Sequence, residues 1–245
     1  LRSTWREVRA GEPSDAAMPG PARDEGKGLA KVPSRLAERA PVGQPSAGAD
    51  KPLGTIDLGA GHTVRVMAYV QDPGMSDALG PLNFRPGEVD LSDGPTSARI
   101  AIVDWDADRG RLEAPAGWDA LKCRFYFRAG YEQVPLTAED RDQPQFHQVN
   151  VWAIIQSVLQ LYEEPGVLWR AAPWAFEGNR LIVVPHAGYL DNAFYARQSK
   201  SIQFYYFDGD ERRVFTCLSH DVIAHETGHA ILDGMRPLYG EDTSL

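Results

Sequence analysis

"CLSHDVIAHETGHAILDGMRP", Cys217 to Pro237, holds the densest cluster of reactive side chains in the chain. Ser219 is placed to cap a helix with its hydroxyl, and Asp221 stands in the first turn, where a negative charge meets the positive helix end. Gly234 is expected to supply the left-handed residue that ends the helix, and Pro237 prevents its continuation. Between these signals Val222, Ile223, Ala224, Ala230 and Ile231 give the segment an apolar body. Residues four apart on an α-helix differ by about 40° in azimuth and about 6 Å in height, so His225 and His229 project side by side. Two neutral imidazoles so placed can each give one nitrogen to a single Zn²⁺. Glu226 stands about 100° round from His225, where it flanks the metal position and can take a proton from an attacking water. That division of labour accounts for the pattern H-E-x-x-H. Two imidazoles and a carboxylate buried without partners would cost of order 1–3 kcal/mol per group, which a bound cation relieves. Gly228 is expected to let another element or a substrate approach the backbone. His220 lies about 140° round from His225 and belongs to the capping turn.

Working outward, the 245 residues suffice for a substantial core, and 43% hydrophobic with 24% charged residues is ordinary for a globular protein. The net charge of −9 argues against a nucleic-acid partner, which needs a basic face. No apolar run reaches the length of a membrane span. Cys123 and Cys217 form no C-x-x-C; they are either two buried thiols or one bridge. Residues 1–52 are rich in Pro, Gly, Ala, Ser and charge, and are expected to be disordered or a linker. The chain opens on Leu1 without an initiating Met and is expected to be a fragment or a processed product.

A folded region is expected over 54–245. "GTIDLGAGHTVRVMAYV" alternates at Val64, Val66, Ala68 and Val70, which reads as a strand, and "DPGMSDALGPLNFRPGEVDLSDGP" reads as loop. "ARIAIVDWD", "LKCRFYFRAG", "RLIVVPHAG" and "SIQFYYFDGD" read as further strands. Val151, Ile154, Ile155, Val158 and Leu161 form the stripe of a core-facing helix that ends at Pro165-Gly166, with His147 read as a packing or surface group. The fold class is therefore α+β: a β-rich part over 54–135, then a mixed part over 140–245 with the H-E-x-x-H helix.

"DVIAHETGHAILDG" resembles the active-site helix of the thermolysin-like gluzincin metallopeptidases. "DNAFY", Asp191 to Tyr195, resembles the edge strand that precedes the zinc helix in that family. The likeness covers about residues 145–240. It implies a zincin-type half whose edge strand holds a peptide by strand-like pairing, with Asn192 and Ala193 lining the substrate cleft. It implies Zn²⁺ on His225 and His229, Glu226 as catalytic base, and a peptide or protein substrate. Gluzincins take a third ligand from a Glu roughly 20 residues after the second His, which from His229 falls beyond Leu245. Glu241 comes too early, and Tyr239 is one position out of register with the family's oxyanion-stabilising Tyr. The expected function is zinc-dependent endopeptidase activity, represented by an incomplete fragment. The alternatives are an inactive zincin-fold binding protein and a metal-dependent hydrolase of non-peptide substrates.

Overall fold

The computed structural model describes residues 63–73, 79–84, 90–210 and 212–236. Segment 1–52, the first half of "GTIDLGAGHTVRVMAYV", Pro237, Tyr239 and Glu241 lie outside them. The described residues all belong to one compact unit, and its architecture is mixed α+β.

The unit is built around α1, Pro144–Glu163, which has Pro at its first turn, where no intrahelical N–H is required. Val149, Val151, Trp152, Ala153, Ile154 and Ile155 are all buried, so the first half of α1 is enclosed on every side. The expected stripe fails at its end. Leu161 is 60% exposed, whereas Leu159 is 1% exposed. The two positions differ by about 160° round the helix, and the far end of α1 keeps only one face on the core.

A four-stranded sheet lies in the order β10–β11–β9–β3. Strand β3, Ile100–Ile102, runs parallel to β9, Leu181–Val184, which runs parallel to β11, Ser201–Phe204. Strand β10, Ala193–Ala196, pairs antiparallel with β11 and forms one edge. Because β3 comes from the β-rich part and its neighbours from the mixed part, the two parts share a sheet. The other strands form small antiparallel units: β1, Val64–Tyr69, with β2, Leu79–Phe84; β4, Trp105–Asp106, with β5, Arg111–Leu112; and a meander of β6, Gly117–Asp119, β7, Arg124–Ala129, and β8, Glu132–Pro135.

Strand β2 corrects the loop reading of its stretch. Gly80 and Pro81 look like turn residues, but a two-stranded ribbon leaves one edge free, and Pro is tolerated there. "SIQFYYFDGD" is likewise two strands, β11 and β12, Tyr206–Asp208, the second pairing with β13, Arg213–Phe215. The break falls at Tyr205, whose N–H is taken by the Thr216 hydroxyl at 3.0 Å. Cys123 and Cys217 are both free thiols, so there is no bridge. No helix among the described residues is long and apolar enough to cross a membrane.

Helix α2, His220–Met235, begins as its sequence implies: the Ser219 hydroxyl accepts from the Val222 N–H at 3.4 Å. Its end differs. Gly234 lies inside the helix, and Arg236 is the cap residue. A Cβ at Gly234 would stand 1.7 Å from the Pro173 carbonyl oxygen. The glycine is there because the 173–174 segment packs onto the helix backbone, not to supply a left-handed turn.

Candidate functional site

Helix α2 and strand β10 lie side by side, and the side chains between them form the site. The Nε2 atoms of His225 and His229 converge to 2.9 Å, with the rings nearly perpendicular at 86°. Both imidazoles are exposed, whereas Glu226 is 8% exposed. One atom from each of His225, Glu226 and His229 lies within 4.8 Å of the others. For Zn–N bonds of 2.0–2.1 Å, two nitrogens on a tetrahedral ion stand about 3.3 Å apart. The pair therefore needs only a small adjustment to admit an ion, and its donor chemistry suits zinc.

Glu226 is held by the edge strand: the Tyr195 backbone N–H donates to its Oε2 at 2.9 Å. The Tyr195 phenol donates to Asp233 Oδ2 at 2.9 Å, and Arg197 Nε donates to the same oxygen at 2.7 Å. A second guanidinium nitrogen of Arg197 donates to Asp233 Oδ1, completing a two-pronged ion pair. Burial, then the Asp233 carboxylate, push the Tyr195 phenol above its usual range. A cleft of about 730 Å³ opens along this seam, lined among others by Ala193, Phe194, Tyr195, Arg197, Glu226 and His229.

Of the residues expected from the sequence, His225, Glu226 and His229 come together as a group, and Ala193 lines the cleft beside Glu226 and His229. Asn192 sits just before β10 and is exposed, and its Oδ1 accepts from the Ala193 N–H at 2.9 Å. The Asn192 side chain thus folds back on the strand, and its carbonyl occupies the Ala193 donor. At Gly228 no described atom from another element lies within 4 Å of where a Cβ would stand, so among the described residues nothing uses the approach that the glycine permits. Tyr195, Arg197 and Asp233 were not expected at the site. The available signal was Asp233 itself, four residues beyond His229 and so on the same helix face.

A second polar group lies in the core. His147 is 3% exposed, His186 7% and Cys217 0%. His147 Nδ1 and His186 Nε2 face each other at 2.9 Å, and Cys217 Sγ lies 3.8 Å from the first and 4.0 Å from the second. His147 is thus no surface group, and its packing role is that of a buried polar residue. Burial, then the charge on His186, push the His147 imidazole down to about 3. Burial would lower His186 too, but the Asp104 carboxylate and Cys217 outweigh it and lift the imidazole to about 10. Burial pushes the Cys217 thiol up.

Comparisons with protein-family models, with curated proteins and with solved structures found no match.

Proposed function

We propose that this chain carries the edge strand and active-site helix of a zinc-dependent peptidase of zincin type. The observation that carries the reading is the Tyr195 N–H bond to Glu226, which ties the carboxylate of H-E-x-x-H to a sheet edge along a cleft. His225 and His229 hold the metal through their converging Nε2 atoms. Zinc, when bound, acidifies water and polarises a carbonyl. Glu226 takes the proton of the attacking water and later returns it to the leaving amine. Its buried carboxylate is fixed for this by the strand, so little reorientation is needed. The outer edge of β10, whose Ala193 and Tyr195 N–H groups are taken by Asn192 and Glu226, would meet an extended peptide with its backbone carbonyls, a mode of recognition that favours peptides over other carbonyl substrates.

The test is the pair Glu226→Gln and His229→Ala, each measured for zinc content and for turnover of an internally quenched peptide. Gln keeps an oxygen for the Tyr195 N–H but cannot take a proton. Turnover is expected to fall by about 10²–10⁴-fold with zinc retained. His229→Ala is expected to lose zinc and turnover together. Zinc loss in Glu226→Gln would make that carboxylate a ligand. Near-normal turnover in the same variant would remove α2 from the chemistry and end the peptidase reading.

A further inference from the structure

The buried group in the core has the donor set and the outer partners of a metal centre. Each imidazole has one nitrogen turned outward and occupied. His147 Nε2 lies 2.9 Å from the Arg141 carbonyl oxygen, an acceptor only, so this nitrogen carries a hydrogen and donates. His186 Nδ1 lies 2.8 Å from Asp104 Oδ1 and donates to the carboxylate. In the neutral rings the proton assignment then leaves a lone pair on each inward nitrogen, His147 Nδ1 and His186 Nε2, and these are the atoms 2.9 Å apart. Two lone pairs cannot face each other at that distance without a positive charge between them. A shared proton or a metal ion can supply it.

The third inward atom favours the metal. Cys217 Sγ closes a triangle with sides of 2.9, 3.8 and 4.0 Å. The point equidistant from its corners lies about 2.1 Å from each, against Zn–N bonds of 2.0–2.1 Å and Zn–S bonds near 2.3 Å. A proton between the two nitrogens leaves the sulfur only long contacts of 3.8 and 4.0 Å, whereas an ion at the common point bonds all three atoms. Outward N–H groups donating to a carboxylate and to a backbone carbonyl are also the usual supports of ligating histidines. Asp104 is itself held, its Oδ2 accepting from Gln148 Nε2 at 2.8 Å. Charge balances as well: a divalent cation, the Cys217 thiolate and the Asp104 carboxylate sum to zero, which a buried site requires. The Phe215 ring packs against both imidazoles, with centroids 4.9 and 5.5 Å away.

We propose that His147 Nδ1, His186 Nε2 and Cys217 Sγ bind a Zn²⁺ ion in the core, apart from the His225–His229 pair, with Asp104 orienting His186. The ion joins α1, the segment after β9 and the turn that leads into α2. Cys217 lies two residues before Ser219, so the site anchors the start of the helix that carries H-E-x-x-H. The site stands whether or not the protein is a peptidase.

The test uses the whole chain carrying His225→Ala and His229→Ala, purified under reducing conditions from zinc-supplemented cells. Both histidines are exposed, so their replacement leaves the core intact. Elemental analysis is expected to find one zinc per chain, retained on adding Cys123→Ser and lost on adding Cys217→Ser or His186→Ala. X-ray absorption at the zinc edge is expected to show one sulfur at about 2.3 Å with nitrogen at about 2.0–2.1 Å. This second measurement keeps Cys217 in place and decides the matter even where Cys217→Ser fails to fold. Absence of zinc from the double variant, or a coordination shell without sulfur, would overturn the proposal. Zinc in the unmodified chain beyond that in the double variant would report on the His225–His229 pair separately.

Discussion

Asn150 is a fully buried amide near the middle of α1, and replacing it with Ala should be among the most damaging single changes in the protein. Its Oδ1 accepts from the Tyr69 backbone N–H at 2.8 Å, and its Nδ2 donates to the Cys217 carbonyl at 3.0 Å. One side chain thus joins the end of β1 to the turn that enters α2. Ala removes both bonds and strands a buried donor and a buried acceptor, each worth about 1–3 kcal/mol. The vacated space adds about 0.5–1 kcal/mol at the usual cost per unit of cavity volume. The sum is about 2.5–7 kcal/mol, against a typical stability of about 5–15 kcal/mol. Urea denaturation should show a lower midpoint with an unchanged slope. Asn150→Asp is the sharper control. It keeps the acceptor for Tyr69 but turns a second oxygen, or a buried charge, on the Cys217 carbonyl. It should cost at least about 3 kcal/mol despite its identical shape. A loss below about 1 kcal/mol in Asn150→Ala would show that water replaces the amide, and that the two segments are not joined through it.

Gly234→Ala should destabilise by about 1–3 kcal/mol although Ala is the better helix former, because the new methyl meets the Pro173 carbonyl; a thermal melt showing a stabilised variant would refute the close contact. Asp233→Asn should weaken the Arg197 and Tyr195 bonds and lower stability by about 1–2 kcal/mol. If the proposed function holds, the same variant should lower peptide turnover while leaving zinc content unchanged, which kinetics and elemental analysis on one preparation would check.

What was legible in the sequence was what the backbone alone arranges. The fixed pitch of a helix makes the four-residue spacing of His225 and His229 a statement about space, and the structure brings their nitrogens together. Ser219 as cap and the long helix of the mixed part are similarly local, whereas the strand following Asn192 is expected from the resemblance of "DNAFY" alone. The core cluster had no local signature. His147 and His186 are 39 residues apart, and His186 and its partner Asp104 are 82 apart. Only the parallel pairing of β3 with β9 carries Asp104 and His186 forward together off adjacent strands. Gly234 failed for a related reason. A Gly shortly before a Pro has the local look of a helix stop, but its cause is a contact with Pro173, sixty-one residues earlier.

The fixed part of the proposed site is its carboxylate rather than its imidazoles. Tyr195 meets α2 at two heights: its backbone N–H holds Glu226, and its phenol holds Asp233 two turns further along. Arg197, from just beyond β10, closes on the same Asp233. Strand and helix are therefore pinned at two heights, and neither can slide along the other without breaking a bond to a carboxyl group. His225 and His229 project from the pinned helix into the open, where their side chains can adjust by the few tenths of an ångström that a metal requires. The Glu226 carboxylate is not free to adjust in that way, because the backbone donor that orients it belongs to strand β10. On this arrangement, the direction of the Glu226 carboxylate is set by one residue of β10, Tyr195, whose N–H is taken by the helix.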